Sequence, residues 1–216
     1  MNKTYPFSIA RTVVIISVSK AFSLLKMSMA VGAFWTVFSL RGAIAPLVGA
    51  FGGIAGAGTL FASTMFSALF LKNTVAFSSL AYSGIPTLCA SLYWAFESRI
   101  ARSFIPALCM ILFVMHPQGM MAAPYALFWL IPIIIAYREY NSVFLTALGS
   151  TFTAHAVGSV LWLYSTGMGA EYWYSLLPVV PAERVLFAAV MTAGHMVFSY
   201  LFSYSFGFAS RARTHS

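Results

Sequence analysis

The sequence predicts an all-α fold, a polytopic bundle of transmembrane helices that forms a single membrane domain over residues 1–216. Of the 216 residues, 61% are hydrophobic and 7% are charged, whereas a soluble domain carries about 25% charged residues. The twelve Lys and Arg residues are spread singly between long uncharged runs, a pattern typical of membrane topology and not of a nucleic-acid-binding face. The chain is therefore expected to have lipid as the solvent of its exterior.

The uncharged runs predict six core spans, since a bilayer core needs about 20 helical residues. The run 103–137 is too long for one span, and it contains "MHPQGMM" at 115–121, where Pro117 and Gly119 favour a tight hairpin. The stretch 165–184 is expected to be an interfacial loop because it carries Tyr, Trp, Gly and Pro. The predicted spans are approximately 43–71, 74–96, 100–115, 120–137, 141–164 and 185–208.

Residues 9–41 allow two interpretations. The segment is apolar but is interrupted by Arg11, Lys20, Lys26 and Arg41, which do not share one helical face. It is either one tilted span or a short two-helix hairpin whose lysines reach the interface.

The distribution of cations predicts that the C-terminus is cytoplasmic, in the cell (inner) membrane. In that orientation, and leaving out the undecided residues before 42, five cations lie inside and two outside, which agrees with the preference of cytoplasmic loops for Lys and Arg. The inside cations are Arg99, Arg102, Arg138, Arg211 and Arg213, and the outside ones are Lys72 and Arg184.

Small residues recur every four positions within 42–71. Ala45, Gly49, Gly53 and Ala57 would lie along one face of a helix, where small side chains permit close backbone contact with a neighbouring helix. Helix packing is the common use of this pattern. The alternative is a broken segment that lines a ligand site.

Ionisable groups inside the predicted spans are candidate functional residues because they are costly in lipid. His155 and His195 lie near the middle of the last two spans. Each is either a neutral histidine bonded to a neighbouring helix or a ligand contact or proton relay. Glu183 and Arg184 follow Pro181 and form either an ordinary helix start or a substrate contact at the outer mouth of the bundle.

Several chemistries are excluded by residue types. The chain has no Asp, so it lacks the pair that aspartyl intramembrane proteases need. It contains neither an H-E-x-x-H zinc motif nor a P-loop, and "AYSGIP" at 81–86 lacks the first glycine of a rhomboid-type elbow. No metal, no cofactor and no catalytic residue are predicted.

Three further features resemble the substrate-binding S component of an energy-coupling-factor (ECF) vitamin transporter. They are the length of about two hundred membrane residues, the small-residue block "APLVGAFGGIAGAG" at 45–58, and the C-terminal third. The last contains "TAHAVGSVLWLY" at 153–164 and "LLPVVPAERVLFAAV" at 176–190, similar to the penultimate helix and the proline-bounded outer loop of that family. The family usually has six spans, the number counted here from residue 43 onward before 9–41 is added.

The resemblance implies uptake of a small, vitamin-like nutrient from the outer side, together with a transmembrane coupling protein and its ATPases. The family's alanine-rich coupling motif would correspond to Ser17 and Ala21. The implied substrate-binding residues lie under the outer loops, with the last two deeper: Trp162, Glu171, Tyr174, Glu183, Arg184, His155 and Trp129.

Two other functions remain open from the sequence. The chain could be an integral membrane enzyme that uses His155 or His195, or a non-catalytic subunit of a membrane assembly whose glycine face packs on a partner.

Overall fold

The computed structural model describes residues 9–22, 26–28, 37–39, 41–71, 80–138 and 142–213. Helices α1 (Ile9–Phe22) and α2 (Arg41–Ile44) flank a pair of short strands, β1 (Lys26–Ser28) and β2 (Val37–Ser39). The strands are antiparallel, with Lys26 opposite Ser39. For residues 9–41 the sequence predicted either one tilted span or a two-helix hairpin. The structure has one helix, α1, followed by a pair of short strands, and the rest of that segment lies outside the described residues.

The remaining described chain is helical. It comprises α3 (Leu47–Leu71), a π-helical turn (Leu80–Gly84), α4 (Ile85–Ala95), α5 (Arg99–Met115), α6 (Pro117–Met121), α7 (Ala123–Ala126), a 3-10 turn (Leu127–Trp129), α8 (Leu130–Arg138), α9 (Val143–Thr166), α10 (Ala170–Leu176) and α11 (Val179–Arg213).

By length and composition, three helices in this part of the chain could cross a membrane, which is consistent with the predicted helical membrane class. They are Leu47–Phe70, Val143–Thr166 and Val179–Tyr204, but the first of them is broken at Gly53, so its longer continuous part begins after that residue. The six-span bundle is not confirmed and stays a prediction. Its span 74–96 starts at residues outside the described ranges, and α5, with 17 residues, is about 26 Å long.

Two predicted helix boundaries differ from those observed. Residues 120–137 are not one helix but a series of short pieces, because Pro124 and Pro132 each remove a backbone donor. The last helix begins at Val179 and not at 185, since Pro181 falls in its first turn, where no backbone donor is needed.

Helix α3 is broken at Gly53, which has φ 60° and ψ −154°. A Cβ on Gly56 would lie 2.8 Å from the carbonyl oxygen of Val48, although residues eight apart in a straight helix are separated by about 12 Å. Arg41 Nη2 also lies 3.4 Å from Thr64 Oγ1. Both pairs are centred on Gly53, so the chain reverses there and residues 41–52 run back alongside 54–64.

The reversal changes the meaning of the small-residue pattern. Ala45 precedes α3 and is buried, and Ala57 on the returning arm is also buried. Gly49 makes the closest helix contact, since a Cβ there would lie 1.8 Å from the carbonyl oxygen of Ser91 on α4. Gly53 forms the turn, so the four residues do not lie along one straight helix face.

Helix α9 is the centre of the bundle and contacts α4, α5, α8 and α11. A Cβ on Gly149 would lie 2.4 Å from Tyr93 Oη, so only glycine leaves room for that ring. Ser150 Oγ donates a hydrogen bond to the carbonyl of Ala90 at 2.9 Å. Ser142 caps the start of the helix, and Gly167, with φ 62°, ends it.

We expect Gly53→Ala to destabilise the protein by about 1–3 kcal/mol, because an L side chain is strained in this region of φ and ψ. The midpoint of thermal unfolding in nanodiscs measures the effect. Gly58→Ala is the matched control, since nothing lies within 4 Å of a Cβ there, and its midpoint should equal or exceed that of the wild type. Equal midpoints for Gly53→Ala and the wild type would argue against the reversal.

Candidate functional site

A hydrogen bond between Tyr125 and His155 forms the centre of the candidate site. Tyr125 Oη lies 2.7 Å from His155 Nε2, which joins α7 to the middle of α9. The tautomer of the imidazole decides which group donates. Tyr125 is 1% exposed and His155 is half-buried, so this polar pair lies between helices, with the hydroxyl as its buried member.

Three buried rings surround Tyr125, and with it they form the aromatic cluster, Phe113, Tyr125, Trp129 and Trp173. The ring centroid of Tyr125 lies 5.7 Å from Phe113, 6.2 Å from Trp129 and 5.1 Å from Trp173. Phe113 meets both tryptophans edge to face at 5.1 Å. Such packing fixes the orientation of the tyrosine hydroxyl that His155 contacts.

Helix α10 covers the aromatic cluster. Its Trp173 is buried and donates from Nε1 to the carbonyl of Met168 at 3.3 Å. The helix is held to the turn after α5, because Gln118 Oε1 accepts from the backbone N–H of Ala170 at 3.2 Å and Tyr174 Oη donates to the carbonyl of Met121 at 2.9 Å. The predicted interfacial loop therefore folds onto the bundle.

The ion pair of Glu183 and Arg184 adjoins this centre. Arg184 Nη2 lies 3.5 Å from Glu183 Oε2, and the two side chains are 8% and 13% exposed. Thr151 Oγ1, one turn before His155, lies 3.4 Å from the carbonyl of Arg184. A buried ion pair is costly to desolvate, so its position beside a buried Tyr–His pair concentrates polar groups at one place.

The structure brings together four of the seven residues predicted to bind substrate, namely Trp129, His155, Glu183 and Arg184. The other three lie apart from the centre. Trp162 is 43% exposed and stacks on Tyr82 at 4.6 Å, while Glu171 and Tyr174 lie on the exposed side of α10.

Sequence reasoning missed Phe113, Tyr125 and Trp173. Tyr125 lies inside an uncharged run, and a buried tyrosine hydroxyl usually needs a partner, so it carried a usable signal. Trp173 carried the opposite signal, because tryptophan near a span end usually indicates the interface.

His195 belongs to a second cluster. Its ring stacks between Phe51 at 5.0 Å and Trp94 at 5.4 Å, and its Nδ1 lies 3.4 Å from Ser199 Oγ, one turn further along α11. Within the described ranges neither His155 nor His195 has a carboxylate hydrogen-bonded to its ring, as a general base oriented by an acid would have.

The predicted partner-contact residues Ser17 and Ala21 lie on the exposed side of α1. Buried residues of that helix include Ile15 and Ile16, which pack into the core. The Ser17–Ala21 face is therefore directed away from the bundle.

No protein-family model matches the chain, and no curated protein or solved structure matches it.

We expect Tyr125→Phe to lower stability by about 1 kcal/mol, because it leaves the buried His155 Nε2 without its hydrogen bond. Thermal unfolding in nanodiscs checks this. Tyr164→Phe is the control, since it too removes a tyrosine hydroxyl that makes a hydrogen bond. Tyr164 Oη donates to the carbonyl of Leu112 at an exposed position. An equal loss of stability in both variants would show that the Tyr125–His155 hydrogen bond contributes no more to stability than an exposed one.

Proposed function

We propose that this chain is a membrane transport protein that binds a small, vitamin-like nutrient from the outer side. The observation that carries the proposal is the enclosed group of Tyr125, His155 and the Glu183–Arg184 pair. Polar and ionisable groups are expensive within a membrane and mark ligand or ion pathways. Apolar walls with a few convergent polar groups are also the usual composition of small-molecule sites.

The orientation proposed from the cations supports access from outside. With a cytoplasmic C-terminus, α9 runs outward and α10 lies over its outer end. Arg184 is 7% exposed, so it is not a loop cation. The number of cations in the outer loops of the predicted topology therefore falls from two to one. The nutrient would enter beneath α10, which is only seven residues long.

The energy for uptake would come from a partner. The chain has no P-loop, and its four acidic residues offer few carboxylates to carry coupling protons. A transmembrane coupling protein with ATPases, as in the ECF transporters that the sequence resembles, would supply it. The exposed face of α1 with Ser17 and Ala21 is the proposed contact.

Loss of binding in a His155 variant is the direct test of the site. We expect native mass spectrometry of the wild type in nanodiscs to show a retained small molecule. We expect His155→Gln to lower its occupancy at least about tenfold, the effect of losing a contact worth about 1.4 kcal/mol. His195→Gln is the matched control, a second histidine within a candidate span, and should retain the molecule.

Two results would contradict this proposal. A wild-type protein without any small molecule but with a bound membrane subunit favours the assembly-subunit alternative. Equal loss in both histidine variants shows that the site is not at His155.

The partner contact makes a separate prediction. Ala21→Trp places a large side chain on the exposed face of α1 and should abolish co-purification with the coupling protein and its ATPases, while the bound small molecule is retained. Ala193→Trp on α11 also replaces an exposed alanine and should leave co-purification intact. Unchanged co-purification of Ala21→Trp would exclude this face as the contact.

A further inference from the structure

We propose that the nutrient is a small aromatic or heteroaromatic molecule that directs a carboxylate or carbonyl oxygen at Nε1 of Trp129. This inference rests on the proposed function and names the class of solute for the same site. It depends on the indole of Trp129 and on the rings and charges around it.

Trp129 carries a buried donor without an acceptor. The residue is 0% exposed, and its Nε1 has no hydrogen-bond partner among the residues that the structure describes. An indole N–H can only donate, and buried polar groups in native proteins are nearly always hydrogen-bonded. A solute oxygen would satisfy it.

The other two buried or half-buried tryptophans among the described residues show how the fold treats such donors. Trp173 Nε1 donates to the carbonyl of Met168 at 3.3 Å, and Trp94 Nε1 donates to Met191 Sδ at 3.2 Å. The fold thus supplies an acceptor to each of these indoles. Trp129 is the exception, and it lies in the aromatic cluster next to the Tyr125–His155 pair.

The surrounding groups favour an acceptor-rich, flat solute. Arg184 brings a guanidinium, which can only donate, and its carbonyl lies 3.4 Å from Thr151 Oγ1, one turn before His155. The Tyr125–His155 pair can donate from either member according to the tautomer. The rings of Phe113, Tyr125 and Trp173 provide edge and face contacts that suit another ring.

Entry of such a solute would require α10 to move. Trp173 is 2% exposed and contacts both Phe113 and Tyr125. The helix is held by hydrogen bonds from Ala170 and Tyr174 to the turn after α5. Entry therefore requires these two hydrogen bonds and the packing of Trp173 to be released together, as a local opening of the seven-residue helix.

Three probes of one ring size test the class of solute. Benzoate and benzamide each carry an acceptor oxygen, and benzylamine carries a cation with none. We expect benzoate and benzamide to raise the thermal unfolding midpoint of the wild type in nanodiscs, and benzylamine to leave it unchanged. Stabilisation by benzylamine alone, or by none of the three, would overturn the inference.

Trp129→Phe tests the donor itself, because it keeps an aromatic ring and removes the N–H. Without probe, its midpoint should equal or exceed that of the wild type, since a buried donor without an acceptor has been removed. Its affinity for benzoate should fall at least about tenfold, as expected for one lost hydrogen bond to a charged group. Trp94→Phe, in the His195 cluster, should have a lower midpoint and an unchanged affinity for benzoate.

The outcomes separate this inference from the proposed function. A wild-type protein that retains a small molecule in native mass spectrometry, equally retained by Trp129→Phe, contradicts the proposed contact and leaves transport standing. A wild-type protein that retains no small molecule and binds none of the probes contradicts both.

Discussion

The need of polar groups for partners in apolar surroundings determines how this protein is built. Helix α9 carries several polar residues in its middle, among them Ser150 and His155. Ser150 donates to the carbonyl of Ala90 on α4, and His155 is hydrogen-bonded to Tyr125 on α7. Thr151 donates to Leu148 of its own helix at 2.9 Å and also lies 3.4 Å from the carbonyl of Arg184 on α11. Water cannot take these hydrogen bonds within a bilayer, so the contacts with α4, α7 and α11 set the neighbouring helices around α9.

Close backbone contact is the second constraint, and glycine makes it possible. Gly49 admits the backbone of Ser91, and Gly149 admits the ring of Tyr93. Tyr93 then donates to the carbonyl of Pro132 at 2.7 Å, so one small residue on α9 allows a bond between α4 and α8. Association of membrane helices depends on such packing because lipid offers little hydrophobic driving force between them.

The candidate site is the place where these constraints concentrate. The aromatic cluster gives an apolar wall, the Tyr125–His155 pair and the Glu183–Arg184 pair give polarity, and α10 covers the cluster. The reversal at Gly53 lies elsewhere, beside the His195 cluster, since Phe51 belongs to both. A movement of α3 would therefore act first on His195 and only through α9 or α4 on the site.

The sequence determined the helical membrane class, because charged residues are too few for a water-facing exterior. It also indicated His155, Glu183 and Arg184 as candidate functional residues, since an ionisable group is costly within an apolar run and can be recognised without a structure. It indicated the close approach at Gly49 through the spacing of small residues. These features depend on composition and on local periodicity.

Only the tertiary structure decided which glycine turns the chain, which hydroxyl meets His155 and where Trp173 lies. Six glycines fall between residues 42 and 58, and spacing alone does not distinguish Gly53, whose left-handed φ depends on the packing of the two arms. Tyr125 and His155 are 30 residues apart, and Trp173 reaches Phe113 across 60. Such contacts depend on how helices pack in space. A polar or aromatic residue in an apolar run shows that a partner is needed, but not which residue provides it.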